Sequence, residues 1–346
     1  MPTNVKSKNI FIFGGTTPSL KNQVLNTLHH IGVSSLLRAK KDGLLTVLSL
    51  HRISEERNSF WNPIHPKTFD QLLGYVKKNY RVIGFNELEN ENHSKSNKPL
   101  LILSFDDGYY DFYQHALPLL VKHNLPSNHN IVNECASSNR TIWTQKLNLV
   151  FEHHLQTSSP LTIDYSDRKS SLADFGNSWM TYYLDTFKTL LNLPLNERES
   201  VLNNLIEGSG IDLSCRMMNW EEIKECSSNL VEIGSHTFTH DSLGTIKDVE
   251  ALKKEILESK TQTENALGKK VDVFALPNGQ TGSLADEVIT NSDYKFVLYA
   301  NDELNAIPDS NSHGPIKISR INLVDEPLPH MALRLEQFHK MLRKYV

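Results

Sequence analysis

Two short segments of the sequence combine residues that can bind a metal ion and move a proton. The first, residues 101–108 (LILSFDDG), is an apolar run followed by the adjacent carboxylates Asp106 and Asp107. The second, LVEIGSHTFTH, is a similar strand-like run and contains His236 and His240, four positions apart. Carboxylate oxygen and imidazole nitrogen bind zinc and related cations, and a spare carboxylate can act as a base. These segments predict metal-assisted hydrolysis.

The charge of the adjacent aspartates supports the metal prediction. Two carboxylates in close contact raise the pKa of one of them unless a cation lies nearby. A bound cation removes this conflict, because it takes one carboxylate oxygen as a ligand and lowers the pKa of its own water. Taken alone, an aspartate pair is typical of a solvated turn, and a histidine pair is seldom a ligand set. Only both pairs together, each following an apolar strand, favour a functional site.

The elements that must position these residues alternate between apolar strands and amphipathic helices. Residues 44–50 and 101–105 are uninterrupted apolar runs, which is typical of parallel strands buried on both faces. Residues 67–80 and 247–267 have apolar side chains at helical spacing. Strands that alternate with helices predict a parallel sheet, either open or closed into a barrel.

Polar clusters follow four of the predicted strands. In parallel α/β proteins the functional residues lie at the carboxyl ends of the strands, where neighbouring loops converge. We therefore expect the four clusters to meet at one edge of the sheet. They are His51-Arg52, Asp106-Asp107, Ser235-His236 and Pro277-Asn278-Gly279.

The chain is predicted to consist of one large domain with two additions. Residues 1–43 are interpreted as an N-terminal helical extension with a helix over residues 21–38, and residues 44–346 as the barrel domain. From about residue 133 to 219 the regular alternation is replaced by short helical patterns and serine-rich polar stretches. This change predicts an insertion of helices and loops that could cap the site.

Composition excludes several classes of protein. With 36 basic and 40 acidic residues and a net charge of −4, the sequence does not predict a nucleic-acid-binding surface. Three cysteines without CxxC spacing do not form a disulfide framework and favour a reducing compartment. The first residues are a poor secretory signal, and no apolar run reaches transmembrane length. We expect a cytoplasmic protein, with peripheral association to the inner membrane through the first forty residues as an alternative.

These residues resemble the motifs of the polysaccharide deacetylases, the NodB-homology carbohydrate esterases. Residues 104–108 (SFDDG) are similar to the first motif of that family and residues 235–240 (SHTFTH) to the second. Residues 274–279 (FALPNG) are similar to the third. Residues 48–53 (LSLHRI) resemble the segment that opens the exopolysaccharide de-N-acetylase branch. The resemblance spans residues 51–323, apart from the insertion.

The resemblance implies a distorted (β/α) barrel of the NodB-homology type. It also implies an enzyme that removes N-acetyl groups from an amino-sugar-containing oligo- or polysaccharide, which could be lipid-linked, in cell-surface polysaccharide synthesis. By the same resemblance Asp107, His236 and His240 would bind one divalent metal, with zinc expected and cobalt, nickel or manganese as alternatives. Asp106 would then be the general base.

The sequence departs from the family pattern at the residues that would assist this base. Many members have an arginine in the third motif, where this chain has Phe274, and Arg320 at the end of a later strand could take that role. The usual late histidine motif is not evident, so His51 is expected to protonate the departing amine. A backbone N–H in the turn at Pro277 and Asn278 would contact the oxyanion.

Two other functions are compatible with the same residues. A hydrolase of small amides or formamides would share the fold but would have a closed pit in place of a long groove. A catalytically inactive carbohydrate-binding member would lack a ligand or the base, whereas all four residues are present here. The identity of the sugar and the oligomeric state stay open at this point.

Overall fold

The computed structural model of the protein describes residues 20–88, 97–138, 140–213, 215–308 and 314–343. Its strands are β1 (Leu44–Leu50), β2 (Arg81–Val82), β3 (Leu100–Phe105), β4 (Ser127–Ile131), β5 (Thr162–Asp164), β6 (Lys169–Ser171), β7 (Val231–Ser235), β8 (Val273–Ala275), β9 (Phe296–Tyr299), β10 (Asn305–Ala306), β11 (Ile316–Ser319) and β12 (Ile321–Asn322). Its helices are α1 (Leu20–His30), α2 (Val33–Arg38), α3 (Pro66–Asn79), α4 (Leu117–His123), α5 (Asn133–Ser138), α6 (Trp143–Thr157), α7 (Trp179–Asn192), α8 (Leu195–Ile206), α9 (Trp220–Ser228), α10 (Val249–Lys253), α11 (Ser259–Leu267), α12 (Ser283–Thr290), α13 (Leu328–Leu335) and α14 (Phe338–Arg343).

The main sheet is largely parallel, and its two ends are joined through one interrupted strand. Parallel pairing runs in the order β1, β3, β4, β7, β8, β9 and β11. The last strand of the sheet is interrupted at Arg320. Before Arg320, β11 pairs with β9, and after it, β12 pairs with β1. The sheet is therefore a nearly closed barrel surrounded by helices, and the predicted distorted (β/α) barrel is confirmed.

The apolar strands are buried on both faces, as their sequences indicate. All six residues of β3 are buried, because one face lines the barrel and the other lies beneath helices. The covering helix α3 begins after His65, whose ring accepts a hydrogen bond from the Lys67 N–H, and has proline at its first position. Its buried residues recur at helical spacing, so that one face of the helix packs on the sheet. They are Phe69, Leu72, Leu73 and Val76.

Residues between β4 and β7 form a unit with its own apolar cluster. This stretch contains α5 to α8 and the antiparallel hairpin of β5 and β6. Its cluster includes Trp143, Phe151 and Tyr182 and is separate from the cluster that fills the barrel. The division of the chain into an extension, a barrel and an insertion at residues 133–219 stays a prediction.

The described part of the N-terminal extension consists of two helices. The predicted helix over residues 21–38 is broken at Gly32, whose φ of 90° is a left-handed conformation that glycine adopts without a steric penalty. Helix α1 packs against α13. Residues 1–19 of the predicted extension lie outside the described ranges. Within those ranges, no helix combines the length and the apolar character needed to span a membrane.

A buried ion pair fastens the start of the barrel to the end of α13. The side chain of Glu336 is fully buried, and its Oε2 lies 3.1 Å from the Lys41 ammonium. Its Oε1 accepts a hydrogen bond of 2.6 Å from the Tyr80 hydroxyl. Burial lowers the pKa of Lys41, while Glu336 opposes this shift. The pair therefore keeps a buried ammonium charged next to a buried carboxylate.

We expect Glu336→Gln to lower the free energy of unfolding by about 3 kcal/mol, because it leaves the Lys41 charge buried without a counterion. Urea denaturation followed by circular dichroism measures this change. The matched control is Asp164→Asn, which removes the exposed partner of Lys169, at 2.9 Å, and should cost at most about 1 kcal/mol. Equal effects of the two substitutions would contradict the account.

Candidate active site

Side-chain alternation directs the polar ends of several strands into the barrel. On β3, Ile102 belongs to the apolar cluster of the barrel interior, whereas Leu103 belongs to the cluster beneath α3. Because successive side chains point to opposite faces, Asp106 follows Ile102 into the interior. Arg320 enters it for the same reason, two positions after the interior residue Ile318. The guanidinium of Arg320, which follows β11, thus lies next to the carboxylate of Asp106, which follows β3.

Asp107, His236 and His240 form a buried cluster of possible metal ligands. The Oδ1 atom of Asp107 lies 3.4 Å from Nε2 of His236 and 3.3 Å from Nε2 of His240. Each side chain is at most 5% exposed. Asp107 and His240 have φ values of 81° and 65°, so both candidate ligands have an unusual left-handed backbone conformation. Among the described residues, these three are the group arranged to hold a metal ion.

The donor atoms of this cluster fit a divalent metal. Oδ1 of Asp107 is buried and makes no hydrogen bond to any described residue, which is costly for a carboxylate oxygen unless a cation is bound. Tetrahedral zinc with bonds of about 2.0–2.1 Å separates its ligands by about 3.3–3.4 Å, as is seen here. The ring Nδ1 of His236 donates to the Ala275 carbonyl at 2.8 Å, which leaves Nε2 free as the ligand atom.

The protonation states of the cluster follow from burial and charge. Burial raises the pKa of Asp107. The interactions with His236 and His240 lower this pKa by more than burial raises it, so that it lies well below its usual range. Burial lowers the pKa of His240 although Asp107 opposes the shift. For His236 the two aspartates outweigh burial, and its pKa is raised. A bound cation would replace the proton on His236, because a metal ligand must be deprotonated.

Asp106 lies beside this cluster but has different partners. Its Oδ1 accepts hydrogen bonds from Arg320 Nη1 at 2.7 Å and from Asn130 Nδ2 at 2.8 Å. Its Oδ2 lies 3.9 Å from Nε2 of His51. Burial raises the pKa of Asp106. The interactions with Arg320 and His236 lower this pKa by more than burial raises it, so it lies well below its usual range. Asp106 is therefore an ionised carboxylate with one oxygen fixed and the other directed towards a histidine.

His51 is the more exposed member of the constellation. It follows β1, and its side chain is 21% exposed, compared with 2% for Asp106. Its ring packs edge-on against Trp61, with ring centres 4.9 Å apart. Burial lowers the pKa of His51, although Asp107 and Asp106 oppose the shift. A neutral imidazole on the open side of the site can accept a proton and pass it on.

Comparison with known proteins agrees with this geometry. The family model described as polysaccharide deacetylase matches residues 197–297, which include His236 and His240. The fold is similar to that of the Streptococcus pyogenes deacetylase PplD in complex with acetate, with 16% sequence identity over 85% of this chain and 98% of that chain and a TM-score of 0.56. It is also similar to IcaB from Ammonifex degensii, with 16% identity over 85% of this chain and 97% of that one and a TM-score of 0.54. No curated protein sequence matches the chain.

The resemblance to the polysaccharide deacetylase family is confirmed. At such low identity the solved structures establish the fold of this deacetylase-like chain, and its chemistry must be argued from its own residues. Phe274, which replaces the arginine of the family's third motif, is buried and stacks on Tyr294, with ring centres 4.9 Å apart. Arg320 instead lies 2.7 Å from Asp106, and its role in orienting the base stays a prediction.

Two residues of β4 in the deacetylase-like barrel belong to the site and were not predicted. Asn130 contacts Asp106, and Nε2 of His129 accepts a hydrogen bond of 3.2 Å from the Gly108 N–H. Burial lowers the pKa of His129 to about 4, so the ring is a neutral acceptor that holds the turn after the aspartates. The sequence signal is the polar run SNHNI between apolar neighbours, because a strand whose polar residues are all buried must pair them internally.

The predicted oxyanion residues lie beside the site but their role stays a prediction. Pro277 is buried, and Asn278 is exposed with a φ of 54°, in the turn after β8. The same strand supplies the Ala275 carbonyl that orients His236. The structure therefore places this turn at the border of the site. The six other predicted residues are brought together by direct contacts, and they are His51, Asp106, Asp107, His236, His240 and Arg320.

We expect the protein to bind one equivalent of zinc or cobalt, and Asp107→Ala to abolish that binding because three protein ligands become two. Metal content after dialysis, measured by plasma mass spectrometry, checks this. His30→Ala, which removes an exposed histidine on α1, is the control and should keep full occupancy. Unchanged metal in Asp107→Ala would refute the ligand assignment.

Proposed function

We propose that the protein is a metal-dependent hydrolase that removes N-acetyl groups from an amino-sugar-containing saccharide, in cell-surface polysaccharide synthesis. The observation that carries the proposal is the different pairing of the two adjacent aspartates. Asp107 faces two histidines, whereas Asp106 is held by Arg320 and directs its free oxygen towards His51. One carboxylate is thus available to a metal and the other to a proton.

Asp107, His236 and His240 would hold the metal ion, which would supply Lewis acidity to activate a water molecule and to polarise the amide carbonyl. Asp106 Oδ2 accepts the proton that the attacking water loses, while Oδ1 stays fixed by Arg320 and Asn130. These two donors keep the carboxylate ionised and aimed, so the base does not have to reorganise during the reaction.

His51 completes the proton transfer. Nε2 lies 3.9 Å from Asp106 Oδ2, close enough for the proton to pass between them after a small movement of the ring. Protonated His51 then donates to the sugar nitrogen as its bond to the acyl carbon breaks. The water has lost one proton and the amine has gained one, so the products are a free amino sugar and acetic acid, which ionises to acetate in solution.

The substrate would approach from the side of His51 and Trp61. Both are partly exposed, whereas the ligand cluster is almost completely buried. The resemblance of residues 48–53 to the exopolysaccharide de-N-acetylases supports a glycan substrate. A cytoplasmic location and a lipid-linked substrate are further parts of this proposal.

The burial of the ligand cluster favours one second candidate, a hydrolase of small amides or formamides. Acetate release from N-acetylglucosamine oligosaccharides, with chelator and with zinc or cobalt added back, distinguishes the two. Metal-dependent acetate from oligosaccharides would support the saccharide de-N-acetylase. Release of formate or acetate from small amides alone would support the second candidate, and neither product from the metal-loaded protein would contradict both.

We expect Asp106→Asn to keep full metal content and to lower the rate of acetate release by about 10²- to 10⁴-fold, the usual contribution of a positioned base. The amide oxygen can still accept hydrogen bonds from Arg320 and Asn130, but the buried Arg320 loses its counterion, so the variant should be less stable and its folding is checked by circular dichroism. Metal analysis and single-turnover rates on the same preparation provide the test. Loss of metal in this variant would mean that Asp106 is a ligand, contrary to the proposal.

His51→Ala should slow amide hydrolysis by about 10²- to 10⁴-fold and should affect an aryl acetate ester much less. The reason is that a phenolate leaves without protonation, whereas an amine does not. Rates on an N-acetylated sugar and on 4-nitrophenyl acetate make the comparison. Nearly normal amide turnover would assign the acid role to another group.

A further inference from the structure

Arg198 is a buried cation in the stretch between β4 and β7. It lies on α8 with a fully buried side chain, and its Nη2 donates to Asp241 Oδ1 at 2.8 Å. Its guanidinium lies 4.9 Å from the centre of the Trp143 ring. Its Nε and Nη1 make no hydrogen bond to the part of the chain that the structure describes. Such a desolvated charge is retained at a cost in stability, so the position of its single ion-pair partner matters.

Asp241 directly follows the metal-ligand candidate His240. Its Oδ1 also accepts a hydrogen bond of 2.8 Å from the Ser242 N–H, so this carboxylate fixes the chain immediately after the ligand. The N–H of His240 donates to Thr237 Oγ1 at 3.0 Å. With a φ of 65°, His240 has a backbone conformation that non-glycine residues keep only where their surroundings enforce it. Asp241 is one of the groups that enforce it.

The helix that contains Arg198 does not explain why an arginine is buried there. Arg198 lies in the first turn of α8, which begins at Leu195, and a cation in that turn opposes the helix dipole. It also shares the buried face of the helix with Val201 and Leu202, where an apolar residue would pack at lower cost. The contact with Asp241 accounts for the residue, because it joins α8 to the histidine loop.

Backbone hydrogen bonds tie both ends of the same stretch to the loops that carry the ligands. At its start the Glu134 N–H donates to the Phe238 carbonyl, between the two histidines, at 2.9 Å. At its end the Met218 N–H donates to the carbonyl of Gly108, which follows Asp107, at 2.8 Å. The side chain of Arg198, in the middle of the stretch, makes a third contact with these loops through its ion pair with Asp241.

We propose that Arg198 is a positioning residue for His240, so that residues 133–219 help to build the metal site. This inference rests on the proposed metal-dependent function. Arg198 holds the Asp241 carboxylate, and Asp241 holds the backbone that aims the His240 ring at Asp107. Without Arg198 the loop can relax, and the apo protein must reorder it each time a metal ion binds.

The test is the zinc affinity of the full-length chain, measured by competition with a chromophoric chelator. Arg198→Met keeps the length of the side chain but removes its charge, and it should weaken zinc binding by about 10- to 100-fold. Arg198→Lys should recover part of the affinity, because an ammonium can still donate to Asp241. The double variant Arg198→Met/Asp241→Asn removes both charges, and it should bind zinc weakly while remaining folded.

The matched control is Lys146→Met. Lys146 is similarly buried, and its ion pair with Glu199, at 2.8 Å, lies within the same stretch and does not involve the histidine loop. This variant should change zinc affinity by less than about threefold. Urea unfolding of the apo forms checks that all variants are folded.

The outcomes separate this inference from the function on which it rests. No zinc binding by the unaltered protein would overturn the proposed function. Full-affinity binding by Arg198→Met, whatever the double variant does, would overturn this inference alone. An equal loss in Lys146→Met would also overturn it, since the effect would then come from the stability of the stretch and not from Arg198.

Discussion

The site depends on one constraint, which is that two ionised carboxylates lie next to each other at the buried end of a strand. Neither Asp106 nor Asp107 can stay charged in the barrel without a cation close by. Arg320 is that cation for Asp106, whereas Asp107 faces the histidine pair, with which it would share a metal ion in the proposed function. In the proposed function, this difference makes one of the two otherwise similar side chains a proton acceptor and the other a metal ligand.

The barrel provides that separation through its closure. The strand that joins the two ends of the sheet is interrupted at Arg320, where pairing changes from β9 to β1. Because β1 also pairs with β3, this interruption places the guanidinium within 2.7 Å of the carboxylate that follows β3. The same residue thus marks the seam of the barrel and fixes the orientation of Asp106. Loss of the contact between Arg320 and Asp106 would therefore affect both the seam of the barrel and the orientation of Asp106.

The sequence was sufficient for the apolar strands and for the residues that follow the strand ends, because those features depend on local patterns, whereas the closed barrel was implied only by the family resemblance. Asn130 and His129 were missed since their importance comes from burial beside Asp106 and Gly108. Arg198 was missed because nothing local indicates that an arginine on a helix is buried against Asp241. The contact between Arg320 and Asp106 spans 214 positions, and only the family resemblance, through the missing arginine at Phe274, suggested it.

X-ray absorption at the zinc edge, combined with anomalous diffraction from crystals of the zinc-loaded protein, tests the central claim most directly. The account predicts one ion bound by Oδ1 of Asp107 and Nε2 of His236 and His240, with Asp106 outside the coordination sphere and still paired with Arg320. Coordination by both aspartates, or an ion bound elsewhere in the protein, would contradict the separation of roles on which the proposed chemistry depends.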